Sequence, residues 1–155
     1  LLTKAQFIAS PDAGFFAYDE YDYTSQNHFL KVMEPDGANA ITIAQFAGGS
    51  IYPMLWSPDS RLIAFNYYGN MTSGNPAAEV FIIPRTGGEM KSLYKGSTVG
   101  RLLFSPNGKY LLVEETTSAS GGHLFLVDLV TSLVSILQAP GLSTDFDWYA
   151  PSWRP

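Results

Sequence analysis

A short phrase recurs along this chain at a nearly constant step. Ser10-Pro11-Asp12, Ser57-Pro58-Asp59 and Ser105-Pro106-Asn107 are three copies, and Trp153-Arg154-Pro155 stands where a fourth is due. The four prolines lie 47, 48 and 49 residues apart. Self-similarity at a period of roughly 20–50 residues marks a repeat architecture, in which no unit buries its faces alone and each packs on its neighbours.

Aligned on the proline, each copy holds four short apolar runs. Before it lie Phe7-Ile8-Ala9, Met54-Leu55-Trp56 and Leu102-Leu103-Phe104. After a turn come Phe15 to Tyr18, Leu62 to Phe65 and Tyr110 to Val113. A third set follows a polar loop: Phe29 to Met33, Val80 to Ile83 and Leu124 to Val127. The fourth is Ile41-Thr42-Ile43, Lys91 to Tyr94 and Leu133 to Leu137. Such runs are rich in β-branched and aromatic residues and bounded by Gly, Pro, Asn and Asp, which is the strand pattern. None keeps a 3.6-residue period long enough for a helix. Strands are expected near 5–10, 14–20, 28–33, 40–45, 51–57, 61–67, 79–84, 90–95, 100–105, 109–115, 123–128, 133–138 and 149–153.

The first two runs of each copy are nearly continuous, as if covered on both faces. The fourth alternates, as a half-exposed outer strand does. In Ser105-Pro106-Asn107-Gly108, Pro presets φ at the second turn position and Gly accepts a positive φ at the end. The first copy, Pro11-Asp12-Ala13-Gly14, displaces that glycine, so its turn is expected to depart from the others.

A repeated four-stranded antiparallel unit of this size reads as a β-propeller blade. The expected architecture is all-β: three four-stranded antiparallel blades plus one extra inner strand, within one partial propeller over residues 1–155. Blade one covers about 5–46, blade two about 50–95 and blade three about 99–138, with the extra inner strand at about 149–155. First strands lie innermost. Trp56, Phe104 and Trp153 share one position and are expected to wedge between blades, where Ala9 is the small exception. Three blades fall short of the usual four to eight. The trailing strand, Tyr149 to Trp153, therefore predicts a larger propeller, completed by blades from the same or another chain.

The segments WSPDSRLIAF (56–65) and FSPNGKYLLV (104–113), with EVFIIPRTGGEMKSL (79–93), resemble the TolB-like β-propeller repeat, a WD-repeat-like family common in bacterial extracytoplasmic proteins. The resemblance covers nearly the whole chain and implies the blade. Similar blades occur in periplasmic scaffold proteins, in gating domains of serine peptidases and in some carbohydrate-active enzymes. TolB's preceding α/β domain is not in this sequence, so its partners do not carry over.

Only 15% of the residues are charged, against about 25% in ordinary domains, and 46% are apolar. The net charge of −5, without a basic run, lacks the positive footprint that nucleic acid requires. No apolar stretch reaches the ~18 residues of a membrane-spanning helix. The absence of cysteine rules out disulfides and thiolate metal sites, and is compatible with an extracytoplasmic (periplasmic or cell-surface) location. Leu1 is not an initiator Met, and any signal peptide would lie upstream.

Candidate binding residues lie on acidic, aromatic stretches assigned to rim loops: Asp19, Glu20, Tyr21, Asp22 and Tyr23 after the second strand of blade one, and Asp145, Asp147, Trp148 and Tyr149 before the last inner strand. Glu114-Glu115 follows the second strand of blade three. Rim loops are where binding residues gather, and Tyr and Trp supply rigid contact area there. The alternative is a solvated acidic loop. His28 and His123 both stand 17 residues after their proline, so they are read as one repeated strand-entry position, with Glu79 in the second copy. That reading is preferred to a metal site. No Gly-x-Ser-x-Gly or His-Glu-x-x-His motif is present, and no phosphate-loop spacing. No catalytic residue, cofactor or metal is expected. The function expected is a non-enzymatic scaffold or subunit that binds a protein partner in a bacterial extracytoplasmic assembly. The alternative is the gating or substrate-binding propeller of a larger enzyme, such as a serine peptidase.

Overall fold

The computed structural model describes residues 7–69, 78–116 and 122–137. Their regular structure is entirely β. The first sheet holds β1 (Phe7–Ala9), β2 (Phe16–Asp22), β3 (Asn27–Met33) and β4 (Ile41–Ala47). The second holds β5 (Ser50–Trp56), β6 (Leu62–Tyr68), β7 (Ala78–Pro84) and β8 (Lys91–Gly96). The third holds β9 (Val99–Phe104), β10 (Tyr110–Glu115), β11 (His123–Asp128) and β12 (Val134–Ile136). Each sheet is antiparallel and keeps chain order in space. These are the three blades implied by the period. The strand expected at 149–153 lies outside the described residues.

The same turn closes all three inner hairpins. The amide of the fourth residue donates to the serine carbonyl: Ala13 to Ser10, Ser60 to Ser57 and Gly108 to Ser105, each at 2.9 Å. That fourth residue has φ of 58°, 60° and 67° respectively. The first copy thus makes the common turn despite its displaced glycine. The serine side chain explains why. Ser10 Oγ donates to Asp12 Oδ1 at 2.6 Å and accepts from the Phe15 amide at 2.9 Å. Ser57 does the same with Asp59 and Leu62, and Ser105 with Asn107 and Tyr110. Side-chain hydrogen bonds of this Asx and Ser type specify a turn without glycine.

Alternate residues of each strand face opposite neighbours. Ala17, Leu30 and Val32 of blade one pack with Ile51, Met54, Trp56, Ile63, Phe65, Phe81 and Ile83 of blade two. The intervening residues of blade two, Ala64, Val80 and Ile82, pack with Val99, Phe104, Leu111, Val113 and Val127 of blade three. The core is therefore two layers, each between a pair of blades. Trp56 is buried in the first layer and Phe104 in the second, as wedges should be. Full covering falls on the middle strands, and not on the first two as expected. Phe7 of β1 is exposed, whereas Val80, Phe81, Ile82 and Ile83 of β7 are all buried. A middle strand is flanked by strands on both edges and by blades on both faces; an inner strand has one free edge.

One polar residue interrupts the core. Asn66, fully buried on β6, lies opposite a bulge in β5 between Ile51 and Met54. Its Nδ2 donates to the Tyr52 carbonyl at 3.1 Å, which gives the bulged backbone a partner.

Candidate binding rim

Four of the five candidate residues of blade one are strand residues, and Tyr23 lies in the turn that follows. β2 runs on through Asp22, so Asp19, Glu20, Tyr21 and Asp22 alternate between the two faces of the sheet. The strand expected near 14–20 thus extends two residues further, past the apolar run that ends at Tyr18. The ladder continues through polar pairs, Tyr21 opposite His28 and Asp22 opposite Asn27. Glu114 and Glu115 are the last residues of β10, within the strand expected at 109–115.

Asp19 and Tyr21 point to the same side as Ala17, toward blade two. Beside them His28 donates through Nδ1 to both Asp19 carboxylate oxygens, at 2.8 and 3.0 Å. The pair is mostly buried, with side-chain exposures of 12% for His28 and 17% for Asp19. Burial pushes the Asp19 carboxyl above its ordinary value, and His28 pulls part of that back. The Tyr21 ring lies 4.7 Å from the His28 ring, and Tyr23 meets Tyr21 edge-on at 4.9 Å. Tyr23 itself is 65% exposed. The result is a column, from carboxylate through imidazole and phenol to an exposed ring. An imidazole held by Nδ1–H presents its Nε2 in a fixed direction.

The other two residues are engaged elsewhere. Glu20, on the opposite face, accepts from Lys31 Nζ at 2.7 Å. Asp22 closes the hairpin loop by accepting from the Thr24 amide at 2.9 Å and Ser25 Oγ at 2.7 Å. The Ser25 hydroxyl first, then the Thr24 amide, hold its carboxyl below the usual range. Asp145, Asp147, Trp148 and Tyr149 lie outside the described residues.

Equal counts from the proline do not make His28 and His123 equivalent. His28 stands opposite Tyr21, while His123 stands opposite Glu115, the counterpart of Glu20. The two histidines are one step out of register and face opposite sides of their sheets. Glu79, opposite Tyr67, is the true counterpart of His123. Among the described residues no group of three His, Asp or Glu side chains could hold a metal ion.

At the same rim, between blades two and three, is a polar cluster that the sequence reading missed. Glu115 Oε1 accepts from the Ser97 amide at 2.8 Å and from Ser97 Oγ at 3.1 Å. It also takes a hydrogen bond from the Tyr94 hydroxyl. Burial works to raise the Glu115 carboxyl, but the Ser97 amide and the two hydroxyls hold it below its usual value. Burial beside this carboxylate pushes the Tyr94 phenol well up. A Cβ at Gly96 would meet Glu115 Oε1 at 2.5 Å, so the close approach depends on that glycine. Three hydrogen bonds from Ser97 and Tyr94 make this carboxylate a fastener between blades two and three.

The described blades superpose on solved β-propellers. TolB from Acinetobacter baumannii matches over 86% of this chain and 32% of its own, with 21% identity and a TM-score of 0.62. The fold is that of a β-propeller. An oligogalacturonate lyase in complex with manganese matches over 86% of this chain and 41% of its own, with 14% identity and a TM-score of 0.67. A puromycin-hydrolyzing peptidase from Mycobacterium tuberculosis matches over 90% and 22%, with 15% identity and a TM-score of 0.65. The chain spans about a fifth to two fifths of the length of these three proteins. Likeness at such identities is likeness of fold. No family model and no curated protein sequence matches the chain. Among the described residues no helix is long and apolar enough to cross a membrane.

Proposed function

We propose that this chain is part of a non-enzymatic propeller scaffold or subunit in a bacterial extracytoplasmic assembly, and that it binds a protein partner at the rim of blade one. The observation that carries this is the column Asp19–His28–Tyr21–Tyr23. Its base is buried and hydrogen-bonded, and its tip is an exposed phenol. A rigid aromatic tip needs little ordering on binding, which is why Tyr anchors interfaces. Asp145, Asp147, Trp148 and Tyr149 are assigned to the same kind of rim contact.

A photo-crosslinking amino acid at Tyr23, in the whole protein in its own cell, tests this. The control position is Val130, 80% exposed on blade three. A discrete protein adduct at Tyr23, absent at Val130 and weakened by Tyr21→Ala, is expected. The same adducts at both positions would refute rim binding.

The second reading makes the chain the propeller portion of a larger enzyme. It is favoured by the short span of the matched chains and by the two enzymes among them. An α/β-hydrolase domain in the flanking sequence of the gene would select it, and a stop soon after Pro155 would select the scaffold.

A further inference from the structure

The outer strand of each blade ends its sheet, and the free edge of a sheet carries unpaired N–H and C=O groups that another strand can take up. Two of the three outer edges are guarded. β4 is bulged against β3, buries Ile43 and shows Thr42 and Gln45 to solvent. β8 has the matching bulge against β7, buries Leu93 and bears exposed Lys91 and Lys95. Bulges and lysines keep an edge from pairing. β12 has neither. Its register with β11 runs without a shift, and Leu133, Val134, Ile136 and Leu137 are all exposed.

The hydrogen-bond phase of β12 says what fits its free edge. The Asp128 amide donates to the Leu133 carbonyl at 2.9 Å, and the Leu137 amide to the Leu124 carbonyl at 2.8 Å. Bonded and non-bonded pairs alternate along an antiparallel ladder, so Leu133, Ser135 and Leu137 turn their backbone groups toward β11. Val134 and Ile136 turn theirs outward. Two β12 strands pair both outward residues when they lie antiparallel about a two-fold axis at Ser135. Val134 then exchanges both hydrogen bonds with Ile136 of the second copy, Leu133 lies across from Leu137, and Ser135 meets its own copy as a non-bonded pair. A two-fold axis sets a strand against itself, so a charge on it would face like charge. Residues 129–137 carry none, in a chain of net charge −5. An edge that is in phase with itself and free of charge is self-complementary, as a two-fold interface must be.

We propose that the outer edge of blade three is a self-association surface, on which β12 of a second copy of this chain adds antiparallel about a two-fold axis at Ser135. The two four-stranded sheets of blade three join into one, and the exposed apolar residues of the two strands cover one another. The inference rests on the edge of blade three and is independent of rim binding at Tyr23.

Light scattering on the full chain across a dilution series tests the association, and an introduced cysteine tests the register. A dimer is expected. Val134→Pro removes an N–H that points away from β11, so the sheet keeps its own bonds while the dimer loses two symmetry-related donors. The dissociation constant should rise about tenfold or more, with the far-UV spectrum retained. Ile136→Lys, which guards the edge as Lys91 and Lys95 guard β8, should do the same and serves if the proline variant unfolds. The chain has no cysteine of its own. With oxidised glutathione, Ser135→Cys should give a covalent dimer, because directly opposed non-bonded residues stand about 4.5 Å apart at Cα, within disulfide reach. Ile136→Cys should not, because its own copy lies two residues along the neighbouring strand, beyond the ~7 Å limit. A monomer at every concentration would overturn the proposal. So would a dimer that the folded edge variants leave intact, or equal crosslinking at the two cysteines.

Discussion

The two junctions between blades share one backbone plan and are fastened at opposite ends. Between blades one and two the polar contacts gather at the Ser-Pro turns. The Asp12 amide donates to Ser60 Oγ at 3.1 Å, and Arg85 Nη1 reaches the Ser60 carbonyl at 3.3 Å and the Asp12 carboxylate at 3.7 Å. The Arg85 guanidinium lies 4.1 Å over the Phe15 ring. Between blades two and three the same positions are apolar: Leu62 stands for Phe15 and Leu129 for Arg85, both packed on the second core layer. There the polar fastening is at the far rim. Tyr68 Oη donates to the Val99 carbonyl at 2.7 Å and accepts from the Val99 amide at 2.9 Å, beside the Glu115–Ser97–Tyr94 cluster. A repeat fixes where neighbours meet, and each junction is then free to place its polar contacts at either end.

The wedges should give the largest effect. Trp56→Ala is expected to cost about 3–5 kcal/mol in denaturant melts, because losing a buried indole leaves a cavity and removes its hydrogen bond to the Ile8 carbonyl. Trp56→Phe, which copies the Phe104 junction, should retain most of that. A loss under about 1 kcal/mol for Trp56→Ala would mean that the first core layer does not hold the junction.

The tyrosine pair comes next. Tyr68→Phe removes both partners of the Val99 backbone, and should cost about 1–3 kcal/mol. Tyr67→Phe breaks one bond of 3.2 Å to the Ala47 carbonyl at an exposed site, so a loss below about 1 kcal/mol is expected. Equal losses in urea titrations would remove the claimed difference between the junctions.

These contrasts also mark what was legible beforehand. The period, the turns and twelve strands follow from local patterns: proline punctuation, β-branched runs and glycine. Trp56 was readable as a wedge because its position recurs. Arg85 on Phe15, Tyr68 on Val99 and Tyr94 on Glu115 each join different repeats, and no local pattern records such meetings. The candidate rim was half visible. Asp19 to Tyr23 are legible as an acidic, aromatic stretch, but the polar pairs that carry the strand past residue 20 to Asp22 leave no apolar signal. The partner of Asp19 is His28, whose register depends on the exact length of the hairpin loop. Asn66 left a signal, a lone amide within the run Leu62 to Tyr68, but the bulge that it serves is on another strand.

The turn-end clamp should have a smaller effect, and it can be converted. Arg85→Leu imitates Leu129 and is expected to shift the denaturant midpoint far less than Trp56→Ala, since surface ion pairs and cation–π contacts are weak and leucine keeps an apolar cover over Phe15. Arg85→Ala, which also uncovers Phe15, should cost more than Arg85→Leu in the same melts. The reverse order would show that the charge, and not the packing over Phe15, holds the first junction.

The smallest difference lies within the turns and depends on pH. Asp12 and Asp59 are held below their ordinary value of 3.8, first by the hydroxyls of Ser10 and Ser57. A carboxylate with a lowered folded-state pKa stabilises the fold above 3.8, and that contribution is lost as pH falls through the lower folded value. Blade three places Asn107 in the same geometry, with Ser105 Oγ donating at 2.8 Å, and an amide does not titrate. Acid should therefore loosen the first two turns before the third. Hydrogen exchange at the Phe15 and Leu62 amides, which donate to the two serine hydroxyls, should quicken below about pH 4, the ordinary carboxylate range, while that at the Tyr110 amide holds. Asp59→Asn should make the Leu62 amide behave like the Tyr110 amide. Simultaneous loss of protection at all three would mean that acid opens the blades as one unit, and that the serine–carboxylate bonds add nothing local to the turns that carry the repeat.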